Sequence, residues 1–270
     1  MNRGVLLKTI RESWIYTLLL ASGLFTFEAL LAWILPTFLA RVPGNWLQLD
    51  FIRNILKALL GTDLAGQIGP FALYSIAWVH PVALAILFAQ ALVLCSRLAG
   101  EIDRATIDVL LSWPVSRWQA YISETVVWLV SGAVILLLGL FGHILVRSAN
   151  PSEVPLTAGR LFIVLLNFYC LYYAVGAFTC FVSSWSDHRG RVIGIAFAIV
   201  LASFFLNFIA QFWEPAKALA FLGVLNYYRP LPILESGAFP LGHILALLGL
   251  GTLFWSAGGL VFARRDIRTV

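Results

Sequence analysis

Charged residues are scarce in this chain: Asp, Glu, Lys and Arg make up 11% of its 270 residues, while hydrophobic residues make up 61%. Soluble domains carry about 25% charged residues. A soluble core of this size cannot hold so many apolar side chains, so the shortage of charge excludes an ordinary soluble protein. Lipid must be the solvent for much of the chain.

Soft metal ligands and catalytic motifs are also missing. Cys95, Cys170 and Cys180 stand in apolar stretches without a C-x-x-C pair, and Met1 is the only methionine. These features argue against a disulfide framework, a zinc site and a copper(I) conduit, so we expect no metal site. The chain has no H-E-x-x-H or G-x-S-x-G motif. Its basic residues form no stripe, which argues against a nucleic-acid partner.

Six apolar segments have the length that crosses a bilayer, which is about 20 residues. No linker or soluble stretch separates them, so residues 1–270 are predicted to form one domain. We predict an all-α integral membrane protein with six transmembrane helices. The predicted spans are 13–39, 71–96, 125–146, 161–186, 192–213 and 236–263.

The distribution of basic residues predicts the orientation of these spans. With both termini in the cytoplasm, eleven Lys and Arg fall in inner segments and seven in outer segments. Positive charge favours the cytoplasmic side of a membrane. Trp14, Trp118 and Trp185 fall at the inner boundary, where aromatic residues are enriched. We therefore expect both termini in the cytoplasm.

Two segments outside the spans have amphipathic patterns. Residues 2–12 place Val5, Leu6 and Thr9 on one face and basic residues on another, which predicts an N-terminal interfacial helix. Residues 47–60 carry apolar residues at i, i+4 spacing. This second segment is predicted to be an outer helix that caps the bundle; a lid over an outer exit is the alternative.

A charged island, residues 100–117, separates the second and third spans on the predicted cytoplasmic side. As a helix, Ile102, Ala105, Thr106, Val109 and Trp113 would share one face. The proline that follows Trp113 ends such a helix. Periodicity alone leaves two interpretations open: a loop that lies on lipid, or a short helix that docks on a partner protein.

The residue order in the island resembles the ABC-2 family of transporter permeases. Members carry, after their second span, a run like E-x-x-x-G-T-x-x-x-L-L-x-x-P-x-S-R. Here the same spacing is found, with alanine in place of the family glycine, a change expected to stiffen the helix. The matching residues are Glu101, Ala105-Thr106, Leu110-Leu111, Pro114 and Ser116-Arg117.

The resemblance extends to the six-span layout and to the basic N-terminal helix at residues 2–12. It also includes the stretch Asn226-Tyr227-Tyr228-Arg229-Pro230 and the ending Arg264-Arg265-Asp266. Permeases of the NosY type are similar in size and layout. Such a permease is a half-transporter in the prokaryotic inner membrane that dimerises on two separate ATPase subunits. The resemblance implies that the second and fifth spans line the pathway and that alternating access exports a substrate.

The family's cytoplasmic loop helix docks on the ATPase and transmits its closure on ATP, so the resemblance implies that the island is a coupling helix. The implied coupling residues are Glu101, Asp103, Arg104, Thr106, Asp108, Leu110, Leu111, Pro114, Ser116 and Arg117.

The sequence has no nucleotide-binding P-loop. A P-loop needs G-x-x-x-x-G-K-[ST], and none of the three lysines follows a glycine. We therefore expect no cofactor in this chain and no catalysis by it, with ATP and Mg²⁺ on the partner. A membrane-embedded enzyme and a non-transporting assembly or anchor subunit are the alternatives.

Several residues inside the spans are candidates for the pathway or the dimer interface. Glu28 either bonds between helices or contacts a substrate or proton, because a charge is costly there. Small residues every four positions, Gly190, Gly194 and Ala198, predict close helix packing, within the chain or at a dimer seam. The remaining candidates are Asn207, Gln211 and His80, which precedes a helix-loosening proline. The sequence Asp187-His188-Arg189 is predicted to form a tight, solvated turn.

Overall fold

The computed structural model describes residues 3–41, 49, 70–108, 112, 115–149 and 156–266, and these residues contain helices and turns but no strand. The helices are α1 (Arg3–Arg41), α2 (Pro70–Val79), α3 (Pro81–Cys95), α4 (Arg97–Asp103), α5 (Arg117–Ala149), α6 (Ala158–Trp185), α7 (Arg189–Ile209), α8 (Glu214–Leu219), α9 (Pro230–Ser236) and α10 (Leu241–Arg264). Short 3-10 turns, Ala220–Leu222 and Val224–Tyr227, connect α8 to α9. The predicted outer helix at 47–60 lies outside the described residues, apart from residue 49.

Among the described residues, six helical segments are long and apolar enough to cross a membrane, which confirms the predicted number of spans. The second span is divided, because α2 ends before His80 and α3 begins at Pro81. His80 caps α3: its Nδ1 accepts a hydrogen bond from the Val82 N–H at 3.2 Å. This contact satisfies one of the unpaired N–H groups at the start of α3.

The N-terminal residues do not form a separate interfacial helix, so that expectation is wrong. Arg3–Arg41 is one continuous helix of 39 residues, about 58 Å long at ~1.5 Å per residue. The hydrocarbon core is only about 30 Å thick, so α1 extends beyond it. Val5, Thr9 and Ser13 on its first turns are buried against the rest of the chain. The predicted amphipathic face therefore packs on protein.

The boundaries of the last two spans also differ from the predicted ones. The fifth span ends at Ile209, four residues early, and the sixth begins at Leu241 instead of residue 236. Helix α9 ends at Ser236 because Gly237 takes a left-handed conformation with φ of 70°, which is the usual way for glycine to end a helix.

The core of the bundle lies around α6, which packs against α10, α3 and α5. Its contact with α5 is reciprocal. A Cβ added at Gly132 would lie 2.1 Å from the Tyr172 ring, and a Cβ at Gly176 would lie 2.2 Å from the Trp128 ring. The Tyr172 hydroxyl also donates to the Trp128 carbonyl at 2.8 Å. Each helix thus presents one glycine and one aromatic ring, four residues apart, to the other.

The helix α7 is the least covered of the six spans. Among its residues, Val192, Ala196 and Ser203 are buried, while most others face outward. No atom of a described residue lies within 4 Å of a Cβ added at Gly190 or Gly194. These contacts leave a large apolar face of α7 open. Lipid or another protein must cover this face.

Candidate functional site

The charged island begins with α4 and then breaks. Helix α4 ends at Asp103, and Ala105 has a φ of 55°, the one positive φ among the described non-glycine residues. The Thr106 N–H bonds to the Glu101 carbonyl and the Ala105 N–H to the Ile102 carbonyl, both at 2.9 Å. These two bonds define a Schellman ending, in which the left-handed position is Ala105.

The prediction of one helix through residues 102–113 is therefore wrong at 104–106. The expectation that Ala105 stiffens a helix is also wrong, because Ala105 lies beyond the helix end in a conformation that suits glycine. A new helical turn starts at Ile107, and the Ser112 N–H donates to the Asp108 carbonyl at 2.8 Å. The predicted residues Val109, Leu110, Leu111, Trp113 and Pro114 lie outside the described residues.

Glu101 faces the inside of the island and is 2% exposed. Its carboxylate accepts hydrogen bonds from Lys8 Nζ at 2.8 Å and Thr106 Oγ1 at 2.5 Å, and Arg104 lies at 3.3 Å. Burial raises the pKa of Glu101, but the bonds from Lys8 and Thr106 outweigh it and hold the pKa below its usual value. Glu101 thus ties the first turns of α1 to the end of α4.

Asp103 ties the same island to α7. Its carboxylate lies 3.0 Å from His188 Nδ1 and accepts the Arg189 N–H at 3.2 Å. The hydrogen bond to His188, followed by the one from the Arg189 backbone, holds the pKa of Asp103 below its usual value. A carboxylate at the N-terminus of a helix also interacts favourably with the helix dipole. The end of α4 is therefore attached directly to the start of the fifth span.

The turn before α7 is more than a solvated loop. His188 and Asp187 are exposed, as expected, but Asp187 pairs with Arg265 at the end of α10. Arg265 also donates to the carbonyls of Ser184 and Ser186. The island, the α6–α7 turn and the end of α10 thus form one connected surface at this end of the bundle.

The outward face of the island carries charged and polar side chains. Ile102, Ile107 and Val115 anchor it in the core. Arg117 points inward, where it donates to the carbonyls of Phe262 and Arg265. The exposed charged and polar residues are Asp103, Arg104, Thr106, Asp108, Ser112 and Ser116, which we call the island face.

An apolar groove of about 490 Å³ runs between α3 and α7. Phe88 and Leu92 line it from α3, and Phe197 and Phe204 line it from α7. It lies between the second and fifth spans, the pair that the family resemblance assigns to the pathway. Gly190, Gly194 and Ala198 lie exposed on α7, while Asn207 near its end and Gln211 in the turn after it are half-exposed.

Glu28 lies apart from this groove and is fully buried. Its Oε2 is 3.2 Å from Nδ1 of His143 on α5, which is also fully buried. Glu28 Oε1 and His143 Nε2 make no hydrogen bond to another described residue. His80 is also separate and packs on Phe27 with ring centroids 5.0 Å apart. The structure therefore separates Glu28 and His80 from the α7 candidates.

Sequence patterns did not reveal Lys8, His188 and Arg189 as partners of the island. Each is distant in the chain from the carboxylate it contacts, by 85 to 93 residues. A hint existed in the charges, because the island carries acidic residues and both flanking elements begin with basic ones.

Comparison with known proteins identifies a family. The model of the family described as "ABC-2 family transporter protein" matches residues 65–267. This match covers the island, the α3–α7 groove and the last five spans. No curated protein and no solved structure matches the chain.

Proposed function

The chain belongs to the ABC-2 transporter family and is a multi-pass membrane permease subunit, and from that premise we propose how it works. It binds two copies of a separate ATPase, which carry ATP and Mg²⁺, and it pairs with a second copy of itself. ATP-driven closure of the ATPases moves the island and alternates access to an export pathway. The orientation follows the excess of basic residues on the inner side, in a prokaryotic inner membrane.

The observation that supports this proposal is the attachment of the island face to two spans. Its outer side is polar and exposed, while Glu101 bonds to Lys8 on α1 and Asp103 bonds to the start of α7. A partner that pushes on the island therefore pushes on both helices. Coupling between distant sites needs such a continuous chain of contacts.

The open face of α7 supports the proposed pairing and pathway. The small residues Gly190, Gly194 and Ala198 allow two helices to approach closely, and none of the residues that the structure describes covers the two glycines. The adjoining α3–α7 groove would then face the partner copy. We propose that the pathway lies there, whereas Glu28, buried against α5, serves to bond α1 to α5.

Charge reversal on the island face tests the proposed docking. Asp108 is exposed and lies away from the Glu101 and Asp103 contacts, so Asp108→Lys leaves those contacts intact. The chain is co-expressed with its ATPase, purified in nanodiscs and assayed for bound ATPase and hydrolysis. We expect at least about a tenfold loss of binding, since like charges across an interface are costly.

The matched control is Glu214→Lys in α8 at the other end of the bundle, where the side chain is 85% exposed. It should keep full binding and hydrolysis. If Asp108→Lys also keeps both, the island face does not bind the ATPase. If no ATPase co-purifies with the wild-type chain, an anchor subunit or a membrane enzyme becomes the better explanation.

A further inference from the structure

A cavity of about 570 Å³ lies beside the island, between the first turns of α1, the α3–α4 junction and the start of α7. This volume is in the range of small-molecule sites, about 300–1,000 Å³. Polar and charged side chains line most of it, among them Lys8, Tyr16, Arg97, Arg104 and Arg189. The cavity shares Arg104 and Thr106 with the island face and Val93 with the apolar groove, while its other lining residues belong to neither.

The cavity lies at the depth of lipid headgroups. Trp14 on α1 is 50% exposed and Trp185 at the end of α6 is 45% exposed. Exposed tryptophans mark the interface between water and hydrocarbon. The next turn of α1 presents the exposed apolar residues Leu18 and Leu19 to lipid. A ligand in the cavity would therefore have its polar group at this interface.

Within the described part of the chain, the charges of the cavity leave one cation without a carboxylate. Lys8 and Arg104 share Glu101, while Arg97 pairs with Glu12 and lies 3.9 Å from Glu124. The guanidinium of Arg189 instead donates from Nε to Ser96 Oγ at 3.2 Å and from Nη2 to the Val93 carbonyl at 3.1 Å. Its other N–H groups bond to no described residue.

The local structure holds Arg189 in this position. Ser96, at the junction of α3 and α4, is fully buried and fixes the Nε side of the guanidinium. Gly100 on α4 leaves room for the Arg189 side chain, since a Cβ at this position would lie 3.0 Å from Arg189 Cδ. An arginine that is fixed by neutral groups keeps its charge and its free N–H groups available for an anion.

We propose that this cavity binds an anionic phosphate group, with Arg189 as its principal ligand and Arg104 as the second. The phosphate belongs to an anionic lipid headgroup or is free in solution. Guanidinium groups bind phosphate oxygens in pairs, and basic pockets between transmembrane helices bind anionic headgroups. Because the site is built from one chain, the proposal does not depend on the proposed ATPase or dimer.

The test uses the full chain alone in a neutral detergent. Its thermal midpoint is measured against added phosphatidylglycerol, phosphatidylcholine and sodium phosphate, because a ligand that binds only the folded state raises the midpoint. We expect phosphatidylglycerol to raise the midpoint more than phosphatidylcholine. Arg189→Gln should weaken the apparent affinity for phosphatidylglycerol at least tenfold. The control Arg191→Gln, an exposed residue on the same helix, should leave it unchanged.

Arg104→Gln is the second variant in case Arg189→Gln does not fold, since the Arg104 side chain is 58% exposed. A shift by sodium phosphate that depends on Arg189 and competes with phosphatidylglycerol would support the site and identify free phosphate as a ligand. Equal shifts by the two lipids that Arg189→Gln leaves unchanged, without a phosphate effect, would overturn the proposal. An unchanged affinity in both arginine variants would overturn it as well.

Discussion

Ala105 has a left-handed backbone conformation, which costs an L-residue about 1–2 kcal/mol. Glycine does not have this cost, because it has no Cβ. Glycine also lowers the stability by about 0.4–1 kcal/mol, because it raises the conformational entropy of the unfolded chain. We expect Ala105→Gly to raise the free energy of unfolding by about 0.5–1 kcal/mol, measured by thermal unfolding in detergent. Gly237→Ala, at φ of 70°, should do the opposite. A loss of stability in Ala105→Gly would contradict the left-handed turn.

Glu28 and His143 form a fully buried pair between α1 and α5. A charge in the hydrocarbon is costly, so we expect the pair to act as a neutral hydrogen bond. Glu28→Gln should then lower the stability by less than about 1 kcal/mol, and Glu28→Ala by about 2–3 kcal/mol. Unfolding in detergent measures both. Equal losses in the two variants would instead show that the carboxylate itself is needed.

At the scale of single residues, the sequence indicated which positions matter but not their partners. The island pattern identified Glu101 and Asp103, yet their contacts with Lys8 and the start of α7 join residues far apart in the chain. Ala105 was singled out because it replaces a glycine. Helical periodicity predicts a helix through Ala105, because it contains no signal for the left-handed residue that ends one.

At the scale of helices, the reciprocal contact of α5 and α6 predicts how an added methyl group changes the stability. A methyl group at Gly176 would lie 2.2 Å from the Trp128 ring, so the two helices must separate or the ring must move. We expect Gly176→Ala to lower the free energy of unfolding by about 1–3 kcal/mol. The control Gly249→Ala on α10 places the added carbon more than 4 Å from every atom of the described neighbours and should change little.

The existence and number of spans could be predicted because an apolar run of about 20 residues has few alternatives in a chain this hydrophobic. The residues at which the spans begin and end could not be predicted in the same way. Helix α1 continues through its polar first turns because protein covers one side of them, and α9 ends at a left-handed glycine, Gly237, four residues before α10 begins. Hydrophobicity does not reveal either cause.

At the scale of the whole molecule, the orientation in the membrane is the central prediction. Ser112 is exposed on the island face, and Cys95, Cys170 and Cys180 are buried, so a cysteine at 112 is the accessible thiol among these positions. We expect Ser112→Cys in intact cells to resist a membrane-impermeant thiol reagent and to react after lysis. Labelling of intact cells would reverse the topology.

The contacts of Asp103 also set an order of events during synthesis. Its partners His188 and Arg189 are 85 and 86 residues further along the chain. A ribosome adds about 5–20 residues per second, so the island leaves the ribosome several seconds before its second anchor exists. The surface proposed for the ATPase is thus finished only after the fifth span begins to emerge, and a truncated chain would present an incomplete one.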